Sequence, residues 1–198
     1  RKHDGSGTIF GITSKILPTV VADGVRTREA LVMADARLSL QADVLLSRLG
    51  IKRDEIDEHG SVIELGSAGN HSQGCRFDDA SELATPELCA ALTTLADAFI
   101  DGMDFGRFDL RCADADALQA ARGLAVIEVN GTTSEATHMY MPDRPMVWRC
   151  HIMLRLWRVL FGLGALRRAE GVKPVTARAI TTGLCRHYRG RPSEGAIG

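Results

Sequence analysis

The sequence has few aromatic side chains and no surplus of charge. Of 198 residues, 5% are aromatic, and 24 Lys and Arg stand against 25 Asp and Glu, leaving a net charge of −1. So near neutrality, bulk electrostatics gives no reason to expect a nucleic-acid partner. Cysteine is sparse. The five (Cys75, Cys89, Cys112, Cys150, Cys185) are odd in number and form no CxxC pair. They read as free thiols of a reducing cytoplasm, not as a disulfide framework. No uninterrupted apolar run occurs: the most apolar stretch, 147–166, is broken by Arg149, His151, Arg155 and Arg158, which argues against a membrane span. No GxxxxGK[ST] loop is present, no GxGxxG opens a helix, and no GxSxG elbow occurs, so phosphate-loop and serine-hydrolase readings lose their usual carriers. Neither His71 with Cys75, nor Cys150 with His151, nor Cys185 with His187 has a recognised zinc spacing. No signal-peptide pattern opens the chain. It begins at Arg1, which raises the expectation that processing or truncation has removed an upstream part.

What remains is an ordinary globular composition, 45% hydrophobic and 25% charged, at a length that suits one domain or slightly more. The chain is organised around two segments near its middle, 105–111 (FGRFDLR) and 124–130 (LAVIEVN). Each alternates apolar and polar residues, as a half-buried strand does. On the first, Arg107, Asp109 and Arg111 share a face; on the second, Glu128 and Asn130 do. The intervening 112–123 is long enough for a hairpin with an elaborated loop. Pairing of the two strands would put three hard oxygen donors and a cation on one polar surface. Such a set suits Mg²⁺, which takes carboxylates together with phosphate oxygens and water.

The flanking chain supplies helices and short strands. Residues 8–17 read as a strand ended by Pro18, with Lys15 late in it. Thr27 is placed to cap a helix from Arg28, interrupted before Leu45 and stopped by Gly50. Residues 61–65 read as a short strand leading into 66–76, a small and polar loop that either turns or brings backbone N–H groups to a ligand. The clearest helix is 86–100, with Thr85 as cap, Pro86 in its first turn and Leu88, Leu92, Leu95 and Phe99 in one stripe. A helix over 147–166 and a weak one over 176–184 follow, with a loosely ordered basic tail.

The polar set has a plain alternative: strands of antiparallel sheets carry charges on solvated faces, and Arg107 could simply pair with Glu128. Asp109 with Glu128 would also serve as a glycosidase carboxylate pair. The strong apolar flanks and an Asn in a strand, where it is unfavourable, favour a site.

These residues resemble a family. Residues 106–109 (GRFD), followed by 127–131 (IEVNG), are similar to the C-terminal signature of ATP-grasp carboxylate–amine ligases of the D-alanine–D-alanine ligase and cyanophycin synthetase group. Pro18 with the 20–27 segment (VVADGVRT) is similar to a Pro…Val-x-Gly-Asp-Gly-x-x-Thr stretch of that group, with Ala22 where Gly is usual. The 69–74 segment (GNHSQG) resembles its glycine-containing substrate loop. The resemblance runs from about residue 8 to about residue 164.

It implies an α+β fold: the C-terminal part of an ATP-grasp domain over 1–170, with a mainly antiparallel sheet and packed helices, and a weakly structured basic tail over 171–198. It implies ATP and Mg²⁺ as cofactors and a C–N ligation through an acyl phosphate. Asp109, Glu128 and Asn130 fall on the metal ligands and Arg107 on the arginine that stabilises the developing oxyanion. Lys15 matches a cation near the γ-phosphate and is grouped with Asn130 in nucleotide binding. Asn70, Arg76, Thr133 and Ser134 lie in loops that would face the acceptor. The implied partners are small-molecule carboxylates and amines, amino acids or peptides, and the resemblance allows a homodimer. No nucleic acid and no membrane is expected. The family's glycine-rich lid and adenine pocket lie upstream of the matched region, so the chain is expected to be the C-terminal half of a longer enzyme. The other reading kept open is a degenerate module that binds a nucleotide or a protein without catalysis.

Overall fold

The computed structural model describes residues 6–48, 53–67, 69–70, 74–99 and 102–189. The chain is α+β, and every strand pairing among the described residues is antiparallel. Strands β1 (Thr13–Ile16) and β4 (Arg76–Asp79) pair, as do β2 (Thr19–Val21) with β3 (Val62–Glu64) and β5 (Arg107–Arg111) with β6 (Ala125–Asn130). The expected antiparallel sheet is thus divided into three two-stranded ribbons.

Local chemistry sets the first helices. The Asp23 carboxylate accepts from the backbone N–H groups of Val25 and Arg26, forming the turn. Thr27 then caps α1 (Arg28–Ala34) by accepting from Ala30 N at 3.2 Å. The interruption falls at Asp35, whose carboxylate accepts from the N–H groups of Arg37 and Leu38. That local bond offers the backbone an alternative to the helical ladder. A 3₁₀ turn at Ser39–Gln41 leads into α2 (Ala42–Arg48). The expected stop at Gly50 lies outside the described residues. Val32, Leu45, Leu46, Ile63 and Leu65 are buried together in the main core. Truncating one of these leucines to Ala would cost about 2–5 kcal/mol.

The helix α3 (Pro86–Asp97) carries the expected cap, Thr85 accepting from Leu88 N at 3.1 Å, with Pro86 at its start. It ends sooner than the apolar stripe suggests, and Phe99 is exposed. The hairpin connection contains a short helix, α4 (Ala115–Gln119), capped by Asp114. Helix α5 (Met146–Ala169) buries Ile152 and Leu156, one turn apart.

Two strands were not legible. Three residues after Pro18 are too short to show alternation, yet they form β2. Arg76, read as the end of the 66–76 loop, opens β4 (RFDD), whose residues 77–79 had no strand reading in the sequence. Conversely, of the strand expected over 8–17 only Thr13–Ile16 is regular.

The chain divides into two compact units, Arg1–Trp157 and Arg158–Gly198. In the second, α6 (Ala177–Arg189) extends past the expected 176–184, and Ile180, Leu184 and Tyr188 are exposed at one-turn spacing. Among the described residues no helix is long and apolar enough to cross a membrane.

Candidate functional site

The β5–β6 ribbon sets the site. Arg107 stands opposite Asn130 and Asp109 opposite Glu128 in the ladder. Between Asp109 and Leu110 the register shifts: Leu110 pairs with Val126, so Ile127 is an extra residue in β6. Strict alternation would put Val126 on the Glu128 face. The bulge reverses that parity, and Val126 lines an apolar cleft with Leu110, Leu92 and Leu95. One face of the ribbon is therefore apolar against α3, and the other carries the polar set. Gly106 precedes the first rung. A Cβ there would lie 2.7 Å from the carbonyl oxygen of Asn130 and 2.9 Å from Met103 Sδ, so the close approach at that rung requires glycine.

The polar side chains form a continuous chain of contacts. Arg107 Nε donates to Asp109 Oδ1 at 2.8 Å. In the amide orientation that satisfies both neighbours, Asn130 accepts from Arg107 Nη2 at 3.1 Å and donates to Glu128 Oε1 at 3.1 Å. Lys15 Nζ arrives from β1 and donates to Asp109 Oδ2 at 2.7 Å. Burial pushes the Asp109 carboxyl up, but the hydrogen bonds and charges of Lys15 and Arg107 outweigh it and hold it below its ordinary value. Asp109 is thus an anion with a cation on each oxygen.

Lys15 is itself held. It stands opposite Phe77 in the β1–β4 ladder, with its ammonium 6.0 Å from the ring centroid. A Cβ on Gly69 would lie 2.9 Å from Lys15 Cδ, so Gly69 lies against the lysine stem. Strand β1 also meets the segment after β6, where the hydroxyls of Thr13 and Thr137 are 2.9 Å apart.

The structure brings Lys15, Arg107, Asp109, Glu128 and Asn130 together. Arg76 is placed differently: it lies in β4, donates to Asp78 at 2.7 Å, and by strand alternation projects to the opposite face from Phe77 and Lys15. Asn70 is exposed, and its carbonyl accepts from Cys75 N at 3.2 Å. Thr133 and Ser134 lie in the turn after β6, where Ser134 N donates to the Gly131 carbonyl at 3.0 Å. Residues 71–73 of the loop lie outside the described residues. Gly69 was read only as part of the 69–74 loop, and Phe77, which seats the lysine with it, was missed in the sequence. So was His138, buried at 3% exposure among Phe10, Gly11 and Trp148.

Asp109, Glu128 and Asn130 offer carboxylate and amide oxygens, a donor set that fits Mg²⁺ in chemical type. Among the described residues no three His, Cys, Asp or Glu side chains gather as a metal group, so the amide is needed as the third donor.

No protein-family model matches the chain, and no curated protein sequence does. Among solved structures, the chain is similar to a bifunctional glutathione synthetase from Pasteurella multocida. The match has a TM-score of 0.48 and 16% sequence identity over 75% of this chain. It spans 22% of the length of that protein.

Proposed function

We propose that the protein is the metal- and phosphate-holding part of an ATP-grasp ligase that joins a carboxylate to an amine. The observation that carries this reading is the contact chain Lys15–Asp109–Arg107–Asn130–Glu128 on one face of the β5–β6 ribbon. It places hard oxygen donors beside two cations, the requirement for holding a metal–polyphosphate. The family resemblance of 106–109 and 127–131 supports the same assignment.

In this reading Asp109, Glu128 and Asn130 would hold Mg²⁺, which would supply charge neutralisation across the phosphate oxygens. A substrate carboxylate oxygen attacks the γ-phosphorus and ADP leaves. The amine then attacks the acyl carbon, inorganic phosphate leaves, and a proton is lost from nitrogen. Arg107, fixed by Asp109 and Asn130, presents its charge to the oxyanion that forms at the acyl carbon. Lys15 places charge beside the γ-phosphate. Asn70, Thr133 and Ser134 are the proposed acceptor contacts; Arg76, turned to the other face of β4, is not among them, and the substrates are amino acids or short peptides.

The test is ADP release by the intact gene product with panels of amino acids and peptides, together with hydroxylamine trapping of the acyl phosphate as a hydroxamate. Turnover like the wild type's in Asp109→Asn/Glu128→Gln would overturn the assignment. One observation favours a second reading, a non-catalytic module that binds a nucleotide or a protein: both Asp109 oxygens are committed to cations of the chain itself. Mg·ATP binding without ADP release would favour its nucleotide-binding form, and absence of Mg·ATP binding by the full-length protein its protein-binding form.

A further inference from the structure

We infer that Lys15 is an internal competitor for the metal: it holds the oxygen of Asp109 that a divalent cation would take, and it yields that oxygen only when a polyphosphate arrives to receive it. This rests on the metal reading of Asp109, Glu128 and Asn130 given above.

The pair joins two ribbons. Lys15 lies in β1 and Asp109 in β5, 94 residues apart, and Nζ meets Oδ2 at 2.7 Å. The Asp109 side chain is 14% exposed and that of Lys15 34%, so the contact is shielded more than an ordinary surface pair. Its geometry is seated from three sides: by Asp109, by the Phe77 ring across the ladder, and by Gly69, which has no Cβ to block the stem. Among the described residues Asp109 is the carboxylate that pairs with Lys15. Arg107 differs, because Asn130 gives it a second partner on the ribbon.

An ammonium and a divalent cation on one carboxylate oxygen repel each other, so each weakens the other's hold there. Metal binding is therefore favoured when the lysine swings away. Lysine is a compact charge on a flexible four-carbon stem, and a polyphosphate beside the metal is the partner that would receive it. The two binding events become coupled: a free metal ion must displace Lys15 without compensation, whereas a metal–polyphosphate compensates it. By linkage, metal and polyphosphate each raise the other's affinity by the same factor. The lysine thus selects the metal–nucleotide complex over the free ion.

The experiment measures protein-bound Mn²⁺ by equilibrium dialysis, at low ionic strength, with and without inorganic tripolyphosphate, which equilibrates across the membrane so that only metal held by the protein is in excess on its side. Lys15→Met keeps the stem against Gly69 and Phe77 and removes the charge, and circular dichroism checks its fold. Without tripolyphosphate, Lys15→Met should bind Mn²⁺ about tenfold more tightly than the wild type, a conservative figure for one adjacent unit charge. Lys15→Arg should remain weak. Tripolyphosphate should tighten Mn²⁺ binding in the wild type by a larger factor than in Lys15→Met. Equal or weaker Mn²⁺ binding by Lys15→Met, in a background where Asp109→Asn abolishes binding, would overturn the competition and leave the metal site standing. Mn²⁺ binding that ignores Asp109→Asn, or none in any variant, would overturn the metal reading and this inference with it.

Discussion

Asp109 stands directly opposite Glu128 in the β5–β6 ladder, and one residue further the bulged Ile127 turns Val126 to the other face. The ribbon therefore presents two carboxylates to one side and a Leu110–Val126 pair to the other. Its first rung depends on Gly106, where a Cβ would meet the Asn130 carbonyl oxygen at 2.7 Å. Gly106→Ala should push β5 away from β6 at Asn130. We expect a stability loss of about 1–3 kcal/mol, typical of overpacking, read by chemical denaturation, together with weaker Mn²⁺ binding. Wild-type values in both would show that the rung tolerates the side chain.

A second expectation concerns pH. His138 is buried, and burial lowers its pKa from the ordinary 6.5; Asp79 opposes the shift and Arg155 adds to it. The folded protein thus holds the neutral ring, while the unfolded chain takes up a proton below about 6.5. The unfolded state binds more protons in that interval, so stability falls as pH drops from 6.5 toward the folded value. Above 6.5 the contribution is fully present. Melting temperatures between pH 7.5 and 5 should fall for the wild type and fall less for His138→Phe, which keeps a ring and cannot titrate. Parallel slopes would show that His138 is not the sensor.

The capping of α3 makes a third expectation. Thr85 Oγ1 accepts from Leu88 N at 3.1 Å and donates to the Gln119 carbonyl oxygen at 2.5 Å. It thus caps one helix and ties it to the end of α4. Thr85→Ala should cost about 1 kcal/mol, the usual loss for such a cap, and Thr85→Ser should recover most of it. Urea midpoints of the three proteins check this.

Thiol reactivity gives a fourth. Cys75 is fully buried, and desolvation pushes its thiol up despite the nearby Lys15 and Arg37 charges. Cys112 and Cys150 are exposed. Alkylation of the native protein at neutral pH should label Cys112 and Cys150 and spare Cys75, as mass spectrometry of the digest would show. Early labelling of Cys75 would mean that the 74–79 segment opens readily.

The central face was legible because alternation needs only a few residues: Arg107 with Asp109, and Glu128 with Asn130, share parity in the sequence and share a side in the ribbon. The Thr27 and Thr85 caps were legible for a similar reason, since a cap bonds within three residues. What was not legible is long-range or irregular. Nothing local says that Lys15 reaches a carboxylate 94 residues away, or that four residues after a glycine-rich loop form its partner strand. The bulge at Ile127 leaves no mark in LAVIEVN, because any residue type can be the extra one. His138 sat in a polar run, and only the Phe10, Gly11 and Trp148 that surround it explain its burial.

The central claim is that the polar face holds a metal–nucleotide. The direct measurement is calorimetric titration of Mg·ATP into the full-length protein and into Asp109→Asn/Glu128→Gln, with circular dichroism to show that both are folded. Saturable binding by the wild type, weakened at least about tenfold in the double variant through loss of two charged ligands, is the predicted result. Equal binding by the folded double variant would contradict it.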